Sequence, residues 1–355
     1  MSLSSFPPYE HTPRKGRRQR LVEAAEAAGI TRSLKVLHDR GRTSLLILAY
    51  HRIVPIADPD DYALDPELVS ATPDEFDWQM SWLRQQLNPV SLGQVIDHLD
   101  GGHPLPPRAV AVTFDDGYRD TRDHAYPILR RHRIPATVFA VTGCIDSGEP
   151  FWFEVAARLM MSLPPGSVRL QECPEALPTG QVPGARRDSL QRLHRALKDM
   201  DNPRRTQVVN EWRARFADLL DASPGDLLSP MTWGDVAEMA RDGIDFGAHT
   251  VTHPNLTKVP DDELAWELTE SRRVLEHRTG KPVRCLAYPI GTASAFDARV
   301  MRASAAAGFR LAVSYLSGVN WTSRMQRFNM RRHGVSLHTS RPYFRAMLDL
   351  PDWLR

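Results

Sequence analysis

The chain has 355 residues, 42% hydrophobic and 25% charged, with 45 Lys+Arg against 43 Asp+Glu for a formal charge of +2. That is the composition of an ordinary folded protein; it excludes collagen-like, coiled-coil and disordered classes, and the near-neutral balance offers no global field for nucleic acid. The longest apolar run near the start, Leu45–Tyr50, falls far short of the roughly 20 residues of a spanning helix, and Cys144, Cys173 and Cys285 show no CxxC spacing, so neither a disulfide framework nor a thiolate metal site is expected.

The first 43 residues read as a basic extension. Arg14, Lys15, Arg17, Arg18 and Arg20 are followed by no apolar signal core or small-residue cleavage site, which predicts a cytoplasmic location. The charged tip leaves open a peripheral contact with an anionic inner membrane face. Two short helices are predicted, over Arg20–Ala28 and Thr31–Arg40, separated by Gly29.

Short continuous apolar runs come next: Ser44–Tyr50, Ala109–Phe114, Ala136–Val141, Ile244–Ala248, Val283–Tyr288 and Phe309–Tyr315. Apolarity that does not alternate predicts strands buried on both faces, as in a parallel sheet. Helical pattern intervenes over Thr72–Leu87, Thr121–Arg131, Thr232–Arg241, Asp261–Thr279 and Ala295–Ala307, and Thr232 with Asp235 resembles a capping box with the shorter acid. Between Phe151 and Ser229 the order changes. Helical stretches Phe153–Leu163, Arg187–Met200 and Arg204–Leu220 surround a Pro/Gly-rich piece, Pro164–Gly184, and the whole reads as a helical insertion. Setting aside the extension and the insertion leaves roughly 230 residues, near the ~250 of one (β/α) barrel. Residues 341–355 read as a C-terminal tail.

The polar residues of interest fall at the carboxyl ends of the apolar runs, the edge where parallel α/β sheets place their sites. Asp115-Asp116-Gly117 ends one run. By itself it reads as readily as a turn, but a buried strand ending in two carboxylates must satisfy both, and one could hold a metal while the other takes a proton. His249-Thr-Val-Thr-His253 ends another. The helical version of such a pair fails, because Thr250 stands where a zincin has Glu and Pro254 biases His253 away from helix; a strand-end loop completed by a carboxylate such as Asp116 remains a metal site in waiting. His51 ends the first run. Tyr288-Pro289-Ile290-Gly291 ends a fourth, a turn whose N–H groups could face a pocket.

Thr113-Phe-Asp-Asp-Gly117 together with His249-Thr-Val-Thr-His253 resembles the first two motifs of the polysaccharide deacetylases, the NodB-homology carbohydrate esterases, and Leu286-Ala-Tyr-Pro-Ile-Gly291 looks like their third motif. The resemblance covers about Ser44–Val335. It implies a distorted, TIM-like (β/α) barrel and a divalent metal, usually zinc with cobalt as an alternative, used to remove N-acetyl groups from sugars. It also implies Asp116, His249 and His253 as metal ligands and Asp115 as catalytic base. Many members carry their acid His late in the chain, where only His338 offers itself. A subgroup similar to the biofilm poly-N-acetylglucosamine deacetylases presents it on an N-terminal strand, and Leu48-Ala-Tyr-His51 looks like that version, which makes His51 the acid. Where many members have an Arg that orients the base, this chain has Ala287; Arg284 lies three residues upstream, and Arg332 is the candidate to hold Asp115.

The expected partner is therefore a carbohydrate, bound through Tyr288, Pro289, Gly291, Tyr118, Trp152 and Arg332, with Trp321 a further aromatic candidate. An oxyanion would lean on a backbone N–H within Tyr288–Gly291. The insertion opens after a strand at the active rim and is expected to cover or extend the sugar groove. The substrate is read as an N-acetylated amino sugar in a surface polysaccharide or its lipid- or nucleotide-linked precursor. The alternatives are a formamido sugar or small cyclic amide, or a sugar-binding scaffold without turnover.

Overall fold

The computed structural model describes Arg20 and residues 43–57, 59, 62–173, 175–180, 183–220 and 228–349. Apart from Arg20 and Thr43, the basic extension and its two expected helices lie outside the described residues.

Nine short strands form the main sheet: β1 (Ser44–Tyr50), β2 (Asn88–Pro89), β3 (Ala109–Phe114), β4 (Ala136–Ala140), β5 (Asp245–Ala248), β6 (Cys285–Ala287), β7 (Leu311–Val313), β8 (Asn320–Trp321) and β9 (His333–Gly334). They run β7-β6-β5-β4-β3-β1 across the sheet, all parallel. The free edge of β1 is shared by β8, antiparallel at Ser44–Leu45, and by β9, parallel at Leu48–Ala49. At the other end Val313 of β7 bridges Met330. Both edges of the curled sheet thus meet the segment 330–334, and the result is a distorted (β/α) barrel. Because the strands are parallel, His51, Asp115, Asp116, His249 and Tyr288 all emerge at one rim.

The strand positions match the apolar runs because each run is buried on both faces: every residue of β3, and every residue of β1 after Ser44, is buried. Ten helices matter here: α1 (Pro73–Gln86), α2 (Leu92–Leu99), α3 (Tyr126–His132), α4 (Trp152–Ser162), α5 (Pro183–Asp199), α6 (Asn202–Arg215), α7 (Trp233–Arg241), α8 (Asp261–Thr279), α9 (Ala298–Ala306) and α10 (Arg341–Asp349). The capping box at α7 forms as expected: Thr232 Oγ1 accepts the Asp235 N–H at 3.2 Å and the Asp235 carboxylate accepts the Thr232 N–H at 2.8 Å. A single turn of wider helix, Thr121–Ala125, precedes α3.

The helical pattern after Phe151 yields α4, α5 and α6. They pack around apolar residues of their own, among them Leu159, Leu190, Leu193, Leu197, Val208 and Trp212. The supposed tail is corrected in part. Residues 341–349 form α10, whose Phe344, Met347 and Leu348 share the main core, with Phe344 edge-on to Trp78 and Trp82; the i, i+3, i+4 spacing of these three gives the helix its buried face. No helix among the described residues is long and apolar enough to cross a membrane.

Candidate active site

At the end of β3 the backbone turns through two consecutive left-handed residues, Asp116 (φ 73°) and Gly117 (φ 88°). The reversal sends the two adjacent carboxylates to different partners. Asp115 receives both terminal nitrogens of Arg332, Nη1 to Oδ1 and Nη2 to Oδ2, each at 2.7 Å. Arg332 is itself held by Nε donating to Ser314 O at 2.8 Å and by Nη1 reaching Thr113 Oγ1 at 3.2 Å. Burial alone would raise the Asp115 carboxyl, but the Arg332 guanidinium, aided by His249 and His51, holds it well below the usual carboxylate range. Arg284 does not take this part; it lies at the amino end of β6 against Gly93 of α2, at the opposite rim.

Asp116 faces the histidines. Its Oδ1 lies 3.5 Å from His249 Nε2 and 3.5 Å from His253 Nε2, and all three residues are buried. Two ligand atoms on a tetrahedral zinc with bonds near 2.1 Å stand about 3.4 Å apart, so these residues fit a metal ion. The histidines present the right nitrogens. His249 Nδ1 donates to the Ala287 carbonyl at 2.8 Å, which leaves its Nε2 lone pair toward Asp116. Burial, with His249 beside it, pushes His253 down to about 3, so its ring is neutral. For His249 burial pulls downward, but the Asp116 and Asp115 carboxylates outweigh it and raise the value; a cation among these groups would take over that role from a proton.

These groups open onto one cavity of about 270 Å³. His51 joins them from the end of β1, its Nε2 4.0 Å from Asp115 Oδ2 and its ring against Tyr315, with centroids 5.5 Å apart. Tyr288, Ile290, Thr292, Tyr315 and Arg332 continue the barrel wall, while Trp152, Phe153, Gln191, His194 and Lys198 line the cavity from α4 and α5. Asp65 and Glu67 enter from the loop after β1.

Not every expected contact is there. Tyr118 is fully buried beneath the site, its hydroxyl donating to Glu154 Oε1 at 2.8 Å and its ring under the Arg52 guanidinium; Gly117 turns it away from the cavity. Trp321 pairs with Ser44, at the start of β1 and hence at the far rim. His338 does not line the cavity; its ring stands 3.9 Å from Glu67. Tyr288 lines the cavity, but its ring stacks on Phe296 and its hydroxyl donates to Phe328 O at 3.0 Å. Pro289 and Gly291 shape the turn around Ile290 without lining the wall. The Tyr288 N–H is bound to Val313 O and the Gly291 N–H to Pro289 O. Since Pro289 has none, the Ile290 N–H is the turn's remaining donor, on a residue that lines the cavity.

The wall residues Gln191, His194 and Lys198 were missed. Their i, i+3, i+7 spacing on α5 was the available signal, a polar stripe on a helix otherwise anchored by Leu190, Leu193 and Leu197. Burial and the nearby Lys198 push His194 down to about 4.

A family model described as polysaccharide deacetylase matches residues 102–312. The poly-beta-1,6-N-acetyl-D-glucosamine N-deacetylase of Escherichia coli (strain K12) is 36% identical over 89 residues, 25% of this chain and 13% of that protein. The protein of the same name from Staphylococcus epidermidis is 31% identical over 113 residues, 30% of this chain and 39% of that protein. The matches therefore span well under half the length of these relatives. Among solved structures, the Streptococcus pyogenes deacetylase PplD in complex with acetate superposes with a TM-score of 0.57 at 18% identity, over 87% of this chain and all of that one, a likeness of fold.

Proposed function

Because the chain belongs to the polysaccharide deacetylase family, we propose that it hydrolyses the N-acetyl groups of an amino-sugar substrate, with Asp116, His249 and His253 as the ligands of a divalent metal, Asp115 as base and His51 as acid. The observation that carries this reading is the placing of Asp116 Oδ1 3.5 Å from each of two imidazole nitrogens, with Asp115 and His51 on the same cavity wall. Two histidines and a carboxylate suit zinc, and cobalt also accepts them.

A divalent metal held by Asp116, His249 and His253 would supply Lewis-acid polarisation of the amide carbonyl and a lowered pKa for water near neutral pH. The rest is supplied by the chain. Asp115, kept ionised and oriented by Arg332, takes the proton of the attacking water. The Ile290 N–H is assigned to the developing oxyanion, a contact of a kind worth about 3 kcal/mol. His51, near Asp115 but on another strand, delivers a proton to the departing amine, which is too basic to leave as an anion. The wall from α4 and α5 contributes Trp152 as a face for a pyranose ring and Gln191 and Lys198 as polar contacts for its hydroxyls.

The named relatives act on a β-linked N-acetylglucosamine polymer, which makes its oligomers the first substrates to try. Metal content and acetate release are to be measured on such oligomers and on nucleotide-linked N-acetylglucosamine, with Asp116→Ala as the inactive control. Release of formate instead of acetate would move the substrate to a formamido sugar. Bound metal and sugar with no acyl group released from any substrate would end the hydrolase reading.

A further inference from the structure

Both histidines of the metal cluster sit on one five-residue loop, and the loop is bent through left-handed backbone at Thr250 (φ 66°) and His253 (φ 56°). Residues with a Cβ keep such a conformation only where their surroundings impose it. The barrel imposes part of it. Thr142 and Gly143 donate their N–H groups to the carbonyls of Thr250 and Val251 at 3.2 and 3.0 Å. Glu267 of α8, buried, accepts the N–H groups of Val251 and Thr252 at 2.6 and 3.1 Å and also the Thr252 hydroxyl.

Further restraints come from the helical segment. Trp152, opening α4, donates its indole N–H to the carbonyl of His253 at 3.2 Å. Asn202, opening α6, donates Nδ2 to Thr252 Oγ1 at 3.0 Å and to Glu263 Oε1 at 2.7 Å. Arg205 closes the arrangement, one terminal nitrogen donating to Asn202 Oδ1 and the guanidinium lying 4.8 Å over the Trp152 ring. The Thr252 hydroxyl thus gives its one hydrogen to Glu267 and takes one from Asn202, which fixes its rotamer and joins barrel to helical segment at the middle of the loop.

We propose that the helical segment sets the affinity of the metal site, with Asn202 and Trp152 as positioning residues that hold the loop in its chelating shape. This rests on the assignment of Asp116, His249 and His253 as ligands. Zinc-stripped protein is titrated with zinc against a chromogenic chelator, and the melting temperature of the stripped protein is recorded alongside. Asn202→Ala and Trp152→Phe, the latter keeping an aromatic side chain while removing the indole N–H, are expected to weaken zinc binding 10- to 100-fold. Should Asn202→Ala not fold, Trp152→Phe decides alone. Affinity within twofold of the parent, whether or not the melting temperature falls, would overturn the proposal by assigning these contacts to stability only. Asp116→Ala in the same titration separates the two ideas: if it binds zinc as the parent does, the ligand assignment fails and the brace falls with it.

Discussion

Arg332 and Asp115, 217 positions apart, meet through two parallel contacts of 2.7 Å in a buried setting. A planar fork on a carboxylate fixes both its orientation and its charge. Arg332→Gln keeps a donor but loses the fork, and a base misplaced by about an ångström costs roughly 10²-fold in kcat. Without the guanidinium, burial of Asp115 is opposed only by His249 and His51, so the acidic limb of the kcat/KM profile moves to higher pH. The same sign governs stability: a carboxylate held below its ordinary value stabilises the fold above that value and loses the contribution as pH falls. Profiles of parent and variant that share an acidic limb would remove Arg332 from this role.

His51 is assigned to the leaving group, which gives its removal a selective effect. His51→Ala is expected to lower kcat on an N-acetyl sugar by about 10²- to 10⁴-fold. An acetyl ester of a nitrophenol, whose leaving group departs without a proton, should lose far less. Equal losses on amide and ester would show that His51 serves some other step.

Beneath the site, one cation serves two acids, buried Glu154 and partly buried Asp120. Arg52 donates to Asp120 at 2.8 Å and to Glu154 at 3.1 Å, and Glu154 Oε2 has no hydrogen-bond partner among the described residues. The surplus negative charge is relieved at Glu154, which burial pushes up to about 7 against the pull of Arg52 and the Tyr118 hydroxyl. An acid raised on folding stabilises the fold while protonated, and this contribution is lost as pH climbs from 4.5 to about 7. Melting temperatures of Glu154→Gln should decline less than the parent's over that range. Parallel curves would mean that Glu154 does not titrate there.

Tyr118 belongs to that cluster and not to the sugar. Tyr118→Phe should destabilise the protein by about 1–3 kcal/mol, the cost of stripping a donor from a buried acid, and leave KM for an oligosaccharide unchanged. Trp152→Ala, assayed with zinc in saturating excess, is expected to raise KM. A raised KM in Tyr118→Phe would put its ring back among the sugar contacts.

Much of this architecture was legible because it is local. β1 and β3 are continuous apolar runs, and the chemistry stands at their ends, where a parallel sheet gathers it. The α7 cap was readable from Thr232 and Asp235 alone. What escaped was set by the third dimension. Tyr118 is two residues from Asp116, yet two left-handed residues turn it into the interior. Trp321 follows the barrel's last long strand but pairs with Ser44, a full strand length from the rim. The α5 stripe became meaningful only once α4 and α5 were seen to wall the cavity. Arg332 could be named from the missing arginine of the third motif, but its fork on Asp115 depends on β9 pairing with β1. The α10 face was present in the spacing of Phe344, Met347 and Leu348 and was simply overlooked.

The position of Arg332 has a bearing on biosynthesis. The proposed acid, His51, follows the first strand of the sheet and Arg332, the partner of the proposed base, lies just before the last, so the centre joins the two ends of the barrel. A ribosome-bound chain that has exposed everything through β7 already carries His51, both aspartates and both histidines. It still lacks the fork on Asp115 and the strand that covers Leu48–Ala49 on β1. The proposed centre is therefore complete only once β9 has joined β1 and carried Arg332 to Asp115.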